Sequence, residues 1–84
     1  MKAQPNVPRL IQALKRLRKQ IGLSQQELAV RLGVSLPTVS RWENRQSKPS
    51  PLALEKIEAF LHEVGEEGEV LIEKYIRKQM RSME

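Results

Sequence analysis

The sequence predicts an all-α domain of four to five short helices, and three observations carry that prediction. Apolar residues recur at three- and four-residue intervals along most of the chain, the period that covers one face of an α-helix. Gly22, Gly33, Pro37, Pro51, Gly65 and Gly68 punctuate these stretches and divide them into helices of a few turns each. With 39% hydrophobic and 30% charged residues over 84 positions, the chain has the balance of one small packed domain and is too short for a multi-domain enzyme. It contains no cysteine, so no disulfide, thiolate metal cluster or thiol nucleophile is available, and packing must hold the fold.

Residues 1–8 read as a mobile arm, because Met1 to Asn6 hold little that a core would bury. A first amphipathic helix is expected from about Pro8 to Gln20. Leu10, Leu14, Leu17 and Ile21 form its stripe, Arg9, Lys15, Arg16 and Lys19 lie mostly off it, and Gly22 stops it. Ser24-Gln25-Gln26-Glu27 is a capping box that opens a second helix. Gly33 ends that helix just past Leu28, Ala29 and Leu32. A third helix begins near Leu36 or Pro37, where a proline gives up no helical hydrogen bond, and ends at about Asn44 or Arg45. After a polar loop from Gln46 to Ser50, Pro51 opens a fourth helix carrying Leu54, Ile57, Phe60, Leu61 and Val64. Gly65 and Gly68 are expected to break the chain before a C-terminal amphipathic helix, Glu69 to about Ser82. Its stripe is Ile72, Ile76, Met80 and Met83, with Val70 and Tyr75 beside it.

Charge is distributed unevenly. Residues 1–50 carry ten Lys or Arg against Glu27 and Glu43, a balance of +8, whereas residues 51–84 carry five against eight Glu, a balance of −3. The basic half suits a polyanion, with nucleic acid the first candidate and an anionic membrane surface the second. The membrane is disfavoured because the terminal helix also carries Glu69 and Glu73. No apolar run reaches the roughly 18 residues of a membrane span, and no secretory signal is visible at the N-terminus, so a cytoplasmic protein is expected.

Two short helices joined by a glycine-containing turn are the sequence form of a helix-turn-helix. Ala29 is small enough for its helix to approach the next one closely, Gly33 makes the turn, and Val39 and Trp42 give the third helix a buried face. Leu28, Leu32 and Val34 fill the remaining apolar positions. Seven such positions in register behind a capping box resemble the lambda Cro and C1 repressor family, also called the xenobiotic-response-element family. The stretches Ser24-Gln25-Gln26-Glu27-Leu28-Ala29 and Val39-Ser40-Arg41-Trp42-Glu43-Asn44 carry the resemblance. It covers roughly residues 9–64 and implies a compact lambda-repressor-like bundle; residues 65–84, beyond it, are expected to form a C-terminal helix for packing or dimerisation. The third helix would enter the DNA major groove.

With Val39, Trp42 and Glu43 inward, the helical wheel turns Leu36, Pro37, Ser40, Arg41 and Asn44 outward. Leu36, Pro37, Ser40 and Arg41 are the expected base-reading residues. Arg41 is suited to guanine O6 and N7, and Leu36 and Pro37 to a thymine methyl. Some family members carry glutamine where Leu36 and Pro37 stand, so their adenine contacts do not transfer. Gln25, with the free N–H groups of its helix N-terminus, is expected to hold a phosphate, with Thr38, Asn44 and Arg45 as further candidates. The resemblance also implies a structural ion pair between Arg18 and Glu43.

No catalytic set is recognisable: His62 is the single histidine, there is no aspartate, and the serines have capping or DNA-facing roles. No metal or other cofactor is expected, since Glu58 and His62 alone would chelate weakly. The function expected is a sequence-specific transcriptional regulator, dimeric and repressing by occlusion, in the nucleoid-associated cytoplasm. The alternative is a DNA-binding antitoxin that regulates its own operon. A purely protein-binding helical module is a third possibility. The terminal helix, through Val70, Ile72, Tyr75, Ile76 and Met80, would pack back on the core, pair with a second copy or bind another protein.

Overall fold

A side chain with an acceptor oxygen precedes each of the first four helices in the computed structural model, which describes residues 6–77. Asn6 accepts from the Arg9 N–H at the start of α1 (Val7–Gln20). Ser24 and Glu27 form the reciprocal box of α2 (Gln25–Leu32), with bonds of 3.0 and 2.8 Å. Ser35 accepts from Thr38 N–H to open α3 (Leu36–Glu43), and Ser50 from Ala53 N–H to open α4 (Pro51–Val64). These bonds satisfy N–H groups that no helical carbonyl can reach. Pro8, Pro37 and Pro51 stand in first turns, where a missing N–H breaks nothing. A fifth helix, α5 (Glu66–Ile72), runs on into a π-helical turn, Glu73–Arg77.

The five helices bury one core. Leu10, Leu14 and Leu17 of α1 meet Leu28 and Leu32 of α2, Val39 and Trp42 of α3, Ile57, Phe60 and Leu61 of α4, and Ile72 and Ile76 of the C-terminal segment. Each such side chain contributes about 1.5–3 kcal/mol when fully buried. The core therefore decides which segments belong to the folded unit.

Three expectations change. Val7 and Pro8 belong to α1 and not to an arm, because Asn6 caps the helix and donates its own N–H to the Tyr75 carbonyl at 3.2 Å. Residues 1–5 of the expected arm lie outside the described residues. Ile21 is 40% exposed, since α1 ends at Gln20 and the chain turns away there; Ile11 and Ala13 complete the buried face instead. Gly68 does not break the chain but lies buried within α5, which starts three residues earlier than the periodicity suggested. A Cβ built on Gly68 would lie 1.9 Å from the Leu61 carbonyl oxygen, so α5 can pack on α4 at this distance only through a glycine.

The C-terminal segment packs back on the core. Ile72 and Ile76 are enclosed by their own chain, and for that reason the face Val70, Ile72, Tyr75, Ile76, Met80 is not presented to a second molecule as one surface. Met80 and Met83 lie outside the described residues. Val70 is 59% exposed, with Leu71 and Tyr75 half-buried beside it.

Candidate nucleic-acid interface

The turn between α2 and α3 is short because Gly33 takes the left-handed conformation, φ 73°, where a side chain is strained. Val34 N–H then donates to the Ala29 carbonyl at 3.0 Å, and Ser35 caps the next helix at once. The angle between α2 and α3 is thus set by consecutive local bonds. Val39 and Trp42 seal the inner side of α3.

The outer side of α3 stays open. Leu36 is 39% exposed, Pro37, Arg41 and Asn44 are exposed, and Ser40 and Thr38 are half-buried. Asn44 Nδ2 donates to Ser40 Oγ at 3.3 Å, and the Thr38 and Ser35 hydroxyls share a hydrogen bond of 2.8 Å. Leu36, Pro37 and Arg41 therefore form the accessible front, and Thr38, Ser40 and Asn44 are partly engaged within the protein. The Arg41 guanidinium has no ion pair or hydrogen bond among the described residues and is available to a ligand. Arg45 follows in the left-handed region, φ 62°, and its exposed side chain leaves the line of α3.

Beneath this surface Arg18 and Glu43 form a buried ion pair between α1 and α3. Arg18 Nε donates to Glu43 Oε2 and Nη2 to Oε1, each at 2.8 Å, in the two-pronged geometry that guanidinium and carboxylate share. Arg18 Nη1 also donates to the Leu23 carbonyl at 3.1 Å, which ties the α1–α2 loop into the same network. Burial by itself pushes the Glu43 carboxyl up, but the hydrogen bonds from Arg18 and Gln25 and the nearby charges of Arg18 and Lys15 outweigh it. The group is held below its ordinary value. Arg18 is raised by its hydrogen bond to Glu43, against the opposing effect of burial.

Gln25 departs from expectation. Its amide nitrogen does not point outward but donates to Glu43 Oε1 at 2.9 Å, because the buried carboxylate lies within reach and has a lone pair to fill. One N–H of that amide and its carbonyl are left for an outside partner. Gln12 is a residue that sequence reasoning missed: its Nε2 donates to the Glu43 backbone carbonyl at 3.3 Å and so holds the last turn of α3 onto α1. The only signal was its position one turn before Arg16 on a helix already assigned a solvated polar face.

Other candidate groups lie away from α3. Arg31 pairs with Glu63 at 3.1 Å and sits 5.1 Å over the Phe60 ring, a surface clasp between α2 and α4. His62 faces Glu69 through Nδ1 and Glu58 through Nε2, and among the described residues no group of three or more His, Cys, Asp or Glu side chains is arranged to hold a metal. Among the same residues no helix is long and apolar enough to cross a membrane.

The model of a protein family described as Helix-turn-helix matches residues 14–67. Neither a curated protein nor a solved structure matches the chain.

Proposed function

Since the chain belongs to the helix-turn-helix family, Cro/C1 type, we propose that it is a regulator that binds double-stranded DNA by sequence, with α3 in the major groove. The observation that carries this is the two-sidedness of α3. Val39, Trp42 and Glu43 lock one side into the protein, and Leu36, Pro37 and an unpaired Arg41 leave the other free to meet base edges. Arg41 donates two hydrogen bonds to a guanine, Leu36 and Pro37 meet apolar groups such as a thymine methyl, and Ser40 contributes a hydroxyl. The free N–H groups at the start of α2 and the remaining N–H of Gln25 hold a backbone phosphate, with Thr38, Asn44 and Arg45 adding contacts on either side of α3.

The regulator works as a homodimer on a palindrome and represses by covering promoter DNA in the nucleoid, without catalysis or a cofactor. Val70, with Leu71 and Tyr75 beside it, is the apolar surface of the C-terminal segment left for a second copy. Selection from a random duplex library at near-physiological salt tests this. Enrichment of a palindrome with half-sites about one helical turn, roughly 34 Å, apart is the expected result. A lone half-site would mean that another protein completes the unit, as in an antitoxin, and recovery of no sequence at all would overturn DNA reading by α3.

A further inference from the structure

Among the described residues, a hollow beside the recognition surface gathers three arginines and no carboxylate. Pro8, Arg9, Gln12 and Arg16 of α1, Arg45 after α3 and Tyr75 of the terminal turn line a hollow of about 480 Å³. That volume is within the range of small-ligand sites, about 300–1,000 Å³. No carboxylate lines the hollow, and none of the three guanidiniums has an ion pair or a side-chain hydrogen bond among the described residues. Arg18, Arg31 and Arg77, by contrast, each have a glutamate partner. Three like charges around one concavity favour an anion of more than one charge over a singly charged one.

One further feature ties the hollow to α3. Arg45 follows the Asn44 cap at φ 62°, the left-handed end of α3, where its N–H donates to the Trp42 carbonyl at 3.0 Å and the Gln46 N–H to the Arg41 carbonyl at 2.8 Å, and this same residue lines the hollow beside α1. Gln12, which also lines it, is hydrogen-bonded to the Glu43 carbonyl, so the hollow is joined to the last turn of α3. Guanidinium forks match phosphate oxygens in pairs, which a carboxylate-bearing ligand satisfies only once per group.

We propose that Arg9, Arg16 and Arg45 form a phosphate-binding site next to the recognition helix, taking either successive backbone phosphates of the bound duplex or a soluble polyphosphorylated small molecule. The duplex source rests on the proposed function; the soluble source does not. Two measurements on the full chain separate them, using the double variant Arg9→Gln with Arg16→Gln. Both residues are exposed and outside the core, so the fold is retained, which circular dichroism checks. A control removes the same charge from paired guanidiniums, Arg31→Gln with Arg77→Gln.

The first measurement is the dependence of duplex affinity on salt, for selected and random DNA. If the site holds backbone phosphates, the slope of log K against log salt becomes shallower by about 0.9 for each phosphate no longer neutralised, up to about 1.8 in the double variant, and the control changes it less. The second is a titration with inorganic tripolyphosphate at constant ionic strength, followed by NMR at the arginine Nε–H groups. If the site takes a soluble ligand, Arg9, Arg16 and Arg45 shift together and saturably. The double variant then binds at least about tenfold more weakly, with the DNA salt slope unchanged. An unchanged slope together with no saturable tripolyphosphate binding overturns the site. A wild-type chain that binds no DNA removes the regulator proposal, and the tripolyphosphate titration then decides the site alone.

Discussion

At the scale of single residues, the proposed discrimination between bases rests on Arg41. It is exposed and unpaired on the open side of α3, and a bidentate guanidinium–guanine contact is worth about 1–3 kcal/mol of discrimination. Arg41→Ala should therefore lower affinity for a selected site by about 5- to 150-fold and affinity for random duplex far less, as fluorescence anisotropy at one salt concentration measures. Equal losses on both DNAs would make Arg41 a phosphate contact. Gln25→Ala acts differently, because Gln25 both opens α2 and donates to Glu43. It should weaken both DNAs by a similar factor and also cost about 1 kcal/mol of stability in urea unfolding, which a contact to DNA alone would not produce. The outward direction of Arg41 was legible from helical spacing. The inward turn of Gln25 was not, because it depends on how far α2 stands from the end of α3.

At the scale of elements, two junctions hold the recognition helix and the C-terminal segment in place. The α1–α3 junction is the buried pair of Arg18 and Glu43. Removing one partner strands a buried charge, so Arg18→Met or Glu43→Leu alone should cost about 3–5 kcal/mol, whereas the double variant should lose much less than the sum. The pH dependence has a definite sign. Because the folded Glu43 carboxyl is held below its ordinary value, its contribution is complete above the unfolded carboxyl value of about 4.3 and is lost as pH falls through the lower folded value. Thermal melts below about pH 4.3 should show wild type losing stability more steeply than Glu43→Gln. The α4–α5 junction rests on Gly68. Alanine in a helix normally gains about 1 kcal/mol over glycine, but here its Cβ meets the Leu61 backbone, which has no rotamer to yield. The overpacking cost of about 3 kcal/mol wins, and Gly68→Ala should be destabilised by about 2 kcal/mol in urea unfolding. From spacing alone Gly68 read as a helix breaker, since a sequence shows that a side chain is missing but not what would occupy its place.

At the scale of the molecule, residues 1–50, which include α1, α2 and α3, carry the +8 balance, and residues 51–84, from α4 onward, the balance of −3. The recognition helix thus lies within the basic part of a polar molecule, which steers it toward a polyanion in one orientation. Affinity for any duplex should fall steeply with salt, log K declining by about 0.9 for each phosphate neutralised. A flat response would show that the charge asymmetry is unrelated to DNA.

The course of the first four helices, the capping box of α2, the glycine turn between α2 and α3, and the split of α3 into a buried and an open side were legible along the chain, because each follows from contacts within a few residues. The hydrogen bonds of Gln12 and Gln25 to Glu43, the packing of Ile72 and Ile76 into their own core, the role of Gly68, and the meeting of Arg9, Arg16 and Arg45 emerged only in three dimensions. These depend on distances between helices far apart in the chain, and such distances are set by how whole faces pack, which no local period encodes.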